Sequence, residues 1–159
     1  MLMRHAKSDY PDDTPDHERP LAERGRRDAP RIGEWIRDNG YRPDLALCST
    51  AQRTRQTWDL VAAELGGPAA VRYEPRIYEA STLALLLLVR ELPEEAGTGM
   101  LVGHNPAIGE LAVGLTGERV AKFPTAAVAV IRVAGPWDSA APGEVTPLAQ
   151  VTPATLSSR

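Results

Sequence analysis

The feature that most limits what this chain can become is a fourfold alternation of a short apolar run with a longer, helically spaced one. Residues 2–3, 44–48, 71–73 and 100–102 have the brevity and composition of buried strands, and each precedes a segment with apolar residues at helical spacing. The first helix spans about 21–38, with Ala29, Ile32, Trp35 and Ile36 on one face, Pro30 as a kink or restart, and Asn39-Gly40 as a stop. The second carries Thr54, Trp58, Val61 and Leu65 behind a Ser49 or Thr50 cap. The third starts at the Ser81 cap and ends at Pro93, and the fourth opens on Asn105-Pro106 and stops at Gly117.

Two further strands, 126–133 and 145–151, flank a Gly/Pro-containing turn. Strands that alternate with helices build a sheet covered on both faces, and ligands then gather outside the carboxyl ends of its strands. The expected fold is α/β, a three-layer α/β/α sandwich with a mostly parallel, mixed six-stranded sheet. The 159 residues suffice for one domain, expected over 1–151 and followed by a frayed tail over 152–159.

The net charge of −3, with no Lys/Arg run, excludes nucleic acid as a partner. Membrane insertion is excluded as well, because the longest apolar run, 83–89, is a core helix face. Cys48 is the only cysteine, so no intrachain disulfide forms and the cytoplasm is the expected compartment. The first strand begins almost at Met1, which leaves open a natural start a residue or two upstream. Lys7 and Lys122 are the only lysines, and the remaining cations are arginines suited to planar, bidentate anion recognition.

Three strand ends carry chemistry: Arg4-His5, residues 49–53, and His104. Converging cationic and imidazole groups suit a phosphoryl group, whose oxygens the guanidiniums of Arg4 and Arg53 would bind in pairs. Arg53 lies in a first helical turn, where the dipole disfavours a cation unless an anion is bound beside it. A neutral imidazole is a competent phosphoryl acceptor, which makes His5 the candidate nucleophile. Proton transfer to the leaving group calls for a carboxylic acid; Glu79 is the first candidate, ahead of Asp9 and Asp16.

Alone, an Arg-His pair or a Gly-His-Asn-Pro turn is as well explained by structure as by catalysis; their joint occurrence at three strand ends favours catalysis. The three histidines lack metal-ligand spacing, so no metal and no other cofactor are expected. Arg55 is expected to be solvated or ion-paired, His17 to be a surface residue, and Cys48 to be a buried thiol. Four residues, none a glycine, separate Cys48 from Arg53, too few for the loop of a cysteine-dependent phosphatase.

The runs Leu2-Met3-Arg4-His5-Ala6-Lys7-Ser8, Arg19-Pro20-Leu21, Cys48-Ser49-Thr50-Ala51-Gln52-Arg53-Thr54 and Val102-Gly103-His104-Asn105-Pro106 resemble the histidine phosphatase superfamily, with its phosphoglycerate-mutase-like fold. Within it the chain is most similar to the short SixA-type phosphohistidine phosphatases. The resemblance covers roughly residues 2–117 and implies that His5 is transiently phosphorylated while Arg4, Arg53 and His104 surround the phosphate, without metal. Arg-His-Ala stands where the superfamily more often has Arg-His-Gly. The implied substrate is a phosphorylated protein, with a small phosphomonoester as the alternative. A non-catalytic phosphate-binding module is the reading from a different class, and mutase activity is disfavoured because the chain has no room for a large inserted lid.

Overall fold

A computed structural model describes residues 1–117 and 122–157. Its six strands are β1 (Leu2–Arg4), β2 (Leu45–Cys48), β3 (Ala70–Tyr73), β4 (Gly99–Gly103), β5 (Val128–Val133) and β6 (Val145–Val151). They form one sheet in the order β3-β2-β4-β1-β5-β6. The β3-β2, β2-β4 and β4-β1 pairs are parallel, and β5 runs antiparallel to both β1 and β6. The sheet is therefore mixed, and its parallel half ends where the candidate site residues were expected.

The helices are α1 (Glu23–Asp38), α2 (Gln52–Ala62), α3 (Thr82–Arg90), α4 (Ala107–Thr116) and the short α5 (Pro153–Ser157). Strand side chains alternate between two faces, so each strand feeds two cores. Met3, Met100 and Val102 pack with Ile32, Ile36, Trp58 and Val61 of α1 and α2. Leu2 and Leu101 pack with Leu85, Leu88, Ile108 and Leu111 of α3 and α4 on the other face. Ile32 is fully buried, and truncation of such a side chain to Ala costs about 2–5 kcal/mol.

Local sequence signals account for most boundaries. Ser81 Oγ accepts from Ala84 N–H at 3.1 Å and starts α3. Gly117, with φ 70, ends α4 in the left-handed conformation that glycine adopts without steric penalty. α1 neither breaks nor restarts at Pro30 but runs through it.

Two expectations are corrected. Neither Ser49 nor Thr50 caps α2; the capping position is Ala51, which has no side-chain acceptor. Part of the expected frayed tail is ordered: α5 closes against α1, and Leu156 packs on the α1-α2 core, because an apolar residue one turn into a short helix finds that core open. Residues 158–159 of that tail lie outside the described part. Among the described residues no helix is long and apolar enough to cross a membrane.

Candidate active site

The end of β1 is held on both sides by backbone. Arg4 N–H donates to Ala127 O (3.1 Å), His5 N–H to Gly103 O (3.1 Å), and Ala126 N–H returns to His5 O (3.0 Å). Parallel pairing of Arg4 with Gly103 sets the last residue of β1 beside the end of β4, one residue before His104. The His5 and His104 rings lie 5.4 Å apart, centroid to centroid. His5 is 7% exposed, as is Arg53.

Burial is what sets the charge of both imidazoles. Desolvation lowers His5 to about 3, and the nearby His104, Arg53 and Arg4 act in the same direction. His104 falls to about 4, again first through desolvation and then through Arg53. Both are neutral at pH 7. His5 Nδ1 is 2.7 Å from Ala6 O, and a carbonyl only accepts, so we assign the ring hydrogen to Nδ1 and the lone pair to Nε2. That is the tautomer a phosphoryl acceptor needs.

Thr57 ties this floor to α2. Its Oγ1 accepts from Ala6 N–H at 3.0 Å and donates to Arg53 O at 2.7 Å, so one buried hydroxyl joins the backbone beside the candidate nucleophile to that of the candidate phosphate ligand. Ser49, expected as a helix cap, accepts from Ala51 N–H at 3.3 Å and lies 2.8 Å from His104 Nε2. A hydroxyl can both donate and accept, and we assign the Ser49 hydroxyl hydrogen to His104 Nε2, which leaves the ring hydrogen on Nδ1. Among the described residues that Nδ1 is buried without a partner, and so is Arg4 Nε. Two nitrogens left unsatisfied in one pocket need an acceptor, and a phosphoryl group is made of acceptors.

Arg53 is already engaged. Its Nη1 donates to Asp16 O (2.7 Å) and its Nη2 to Asp16 Oδ2 (3.1 Å). The same Oδ2 accepts from Tyr78 Oη at 2.6 Å, and Arg19 Nη1 reaches Asp16 Oδ1 at 3.0 Å. Hydrogen bonds from Tyr78, Arg19 and Arg53 hold the Asp16 carboxyl well below the usual carboxylate range. It is a resident anion on the arginine fork.

His17 is not the plain surface residue expected of it. Its Nε2 lies 2.8 Å from Thr50 Oγ1 and its ring meets Tyr78 edge-on at 4.7 Å, while Tyr78 lies 5.7 Å from the His104 ring. Together they form an aromatic rim.

Glu79, expected as the proton donor, is exposed, with φ 58 and, among the described residues, no hydrogen-bond or ion-pair partner. Asp9 is exposed too, and accepts from Tyr10 N–H. The structure thus brings Arg4, His5, Arg53 and His104 together and leaves Glu79 outside the buried floor. Arg55 stacks on Tyr73 at 4.0 Å and donates to Thr50 O. Burial pushes the Cys48 thiol up to about 12, which suits a structural thiol. Among the described residues no three His, Cys, Asp or Glu side chains are grouped to hold a metal ion.

Comparison with known proteins follows the same lines. Residues 1–85 match the family model of the histidine phosphatase superfamily, branch 1. An uncharacterized protein of Mycobacterium tuberculosis is 42% identical over 151 residues, covering 89% of this chain and 93% of that one. Among solved structures, the SixA of Nakamurella multipartitia, a proposed phosphohistidine phosphatase, is 30% identical with a TM-score of 0.85, covering 96% of this chain and 95% of its own. The SixA of Agrobacterium tumefaciens, described in the same way, is also 30% identical, with a TM-score of 0.82 and 95% of each chain covered.

Proposed function

Because this chain belongs to the histidine phosphatase superfamily, we propose that it is a phosphohistidine phosphatase that works through His5. In the first step the substrate phosphohistidine takes a proton from solvent on its free ring nitrogen, the His5 Nε2 lone pair attacks phosphorus, and the bond from phosphorus to the substrate nitrogen breaks, its electron pair leaving with a neutral imidazole. In the second step water attacks phosphorus, the P–Nε2 bond breaks, orthophosphate leaves and His5 returns to its neutral form. The Nδ1–H bond to Ala6 O stabilises the positive charge that builds on the ring while Nε2 carries the phosphoryl group. Arg4, Arg53 and His104 Nδ1–H offset the charge on the phosphoryl oxygens, so the step needs no metal.

One observation carries the choice of substrate. Asp16 is held as an anion, and Glu79 and Asp9 are exposed, so none of the three is a buried carboxylic acid poised over the floor. An alkoxide leaving group depends on such an acid. An imidazole, protonated near pH 6.5, does not. Glu79, next to Tyr78 in the chain, remains a candidate for proton transfer only with the alternative substrate, a small phosphomonoester. The buried Cys48 thiol and the absence of an intrachain disulfide suit work in the cytoplasm.

The experiment is phosphate trapping. After mixing with a phosphohistidine peptide in the presence of chelator, the wild type should carry acid-labile, base-stable phosphate, and His5→Ala should carry none and lose at least about 10³-fold in turnover. Label that persists on the variant removes His5 as nucleophile. Phosphate binding without turnover by either protein would favour a non-catalytic module.

A further inference from the structure

The chain has a net charge of −3, yet its only two lysines, Lys7 and Lys122, line the same groove. The groove holds about 420 Å³ and is walled by Arg4, Lys7, Arg24, Asn105, Lys122 and Phe123, and among the described residues no carboxylate lines it. It includes Arg4 and Asn105, the sequence neighbours of His5 and His104, and so lies beside the candidate site. Lys7 and Lys122 are exposed and, among the described residues, have no ion-pair partner. Arg24 reaches Asp28 only at 3.9 Å, with 60% of its side chain exposed.

The walls are fixed by backbone. Ala22 N–H donates to Lys7 O at 2.9 Å. Gly25 lies so close to that carbonyl that an added Cβ would fall 2.2 Å from the oxygen, and the start of α1 is thereby pressed against the Lys7 backbone. Opposite, Phe123 O accepts from Asn105 Nδ2 (2.8 Å) and Arg4 Nη1 (3.3 Å). Four cations held around one open groove repel one another, and an anion relieves that repulsion.

We propose that this groove receives acidic side chains flanking the phosphohistidine of a protein substrate. The inference rests on the phosphatase reading above and adds the substrate class. Lysines act as flexible point charges spread along an open surface, which fits several carboxylates on a partner better than one tightly coordinated second phosphate. The groove orients the partner so that its phosphohistidine enters beside Arg4.

The test uses three substrates: phosphoimidazole, a phosphohistidine peptide with Asp and Glu flanks, and the matched peptide with Asn and Gln. The wild type should favour the acidic peptide by about tenfold or more in kcat/KM at low salt, with the preference shrinking as salt rises. Lys7→Glu/Lys122→Glu and Lys7→Gln/Lys122→Gln should lose the preference while hydrolysing phosphoimidazole within about twofold of wild type. Equal use of both peptides, a salt-independent preference, or a preference that survives in both variants overturns the proposal. If phosphoimidazole itself is not hydrolysed, the phosphatase reading fails. The groove is then judged by fluorescence anisotropy of the unphosphorylated acidic peptide, whose lysine-dependent binding would still support an acidic partner and whose failure to bind would overturn it. Lysine-dependent binding of an oligonucleotide or of anionic vesicles, with indifference to the peptides, would assign the groove elsewhere and refute it.

Discussion

Arg4 and His5 stand on backbone that is hydrogen-bonded to β4 on one side and to residues 126–127 on the other, whereas Asp16, His17 and Tyr78 stand in or at the end of single 3-10 turns within the connections and meet through their side chains. The floor is a by-product of the sheet: once the parallel register forms, His5 and His104 are neighbours. The rim depends on polar contacts at partly exposed positions, each of modest worth in water. On the proposed reading, the chemistry that tolerates little displacement would reside at the sheet, and the parts that contact variable features of a substrate would reside in the connections.

The comparison can be broken most forcefully at Arg53. Arg53→Lys keeps the charge but loses the fork, and kcat/KM should fall by about 10²–10³ in steady-state assays. A loss under about threefold would show that the floor does not need a forked cation.

Next in size is the response to acid. Folded His5 takes its proton near pH 3 and folded His104 near pH 4, against an ordinary value of 6.5 for each. Between those limits the unfolded chain holds more protons, so stability is retained above about pH 6.5 and lost as pH falls below it. The loss should approach about 1.4 kcal/mol per pH unit for each histidine, seen as a falling urea midpoint between pH 7 and pH 5. A midpoint unchanged over that range would mean that the floor is not desolvated.

Thr57→Val keeps the shape of the strut and removes its hydroxyl, leaving Ala6 N–H buried and unpaired. Urea unfolding should register about 1–3 kcal/mol of destabilisation. No change would mean that the backbone around β1 holds His5 without help from α2.

The smallest effect is expected at the rim. Glu79→Gln should leave the pH-rate profile on phosphoimidazole within about twofold of wild type, since the leaving imidazole can be protonated by solvent. A larger loss would sharpen the assignment of Glu79 by showing that its exposed carboxylate reaches the leaving group.

How much of this was legible beforehand follows the same division. Strand and helix positions were legible because apolar period and turn residues are local signals; Ser81 and Gly117 mark their helix ends as expected. Arg4, His5, Arg53 and His104 could be grouped because each lies at or just beyond the end of a parallel strand, and the sheet does the rest. The partnership of Asp16 with Arg53 spans 37 residues and starts in a loop with no period, so nothing local announces it. Ser49 was visible as a polar residue after a strand, but its phase relative to the helix start decides between capping α2 and bonding His104, and boundary signals do not resolve that phase. The four-residue spacing of Arg53 and Thr57 was the one available hint, since a threonine often bonds back one turn.

Asp16 also changes what it means for a phosphoryl group to arrive. Arg53 holds the Asp16 carbonyl on one arm and its carboxylate on the other, so on the proposed reading capture of a phosphoryl group there would be an exchange of acceptors. The exchange would run backward when the cycle closes: as orthophosphate departed, the carboxylate would return to the guanidinium, and no naked charge would have to wait for water. Occupancy of such a site is a contest between a ligand in solution and a side chain tethered at high local concentration, so the tether sets how readily product clears as well as how tightly substrate is held.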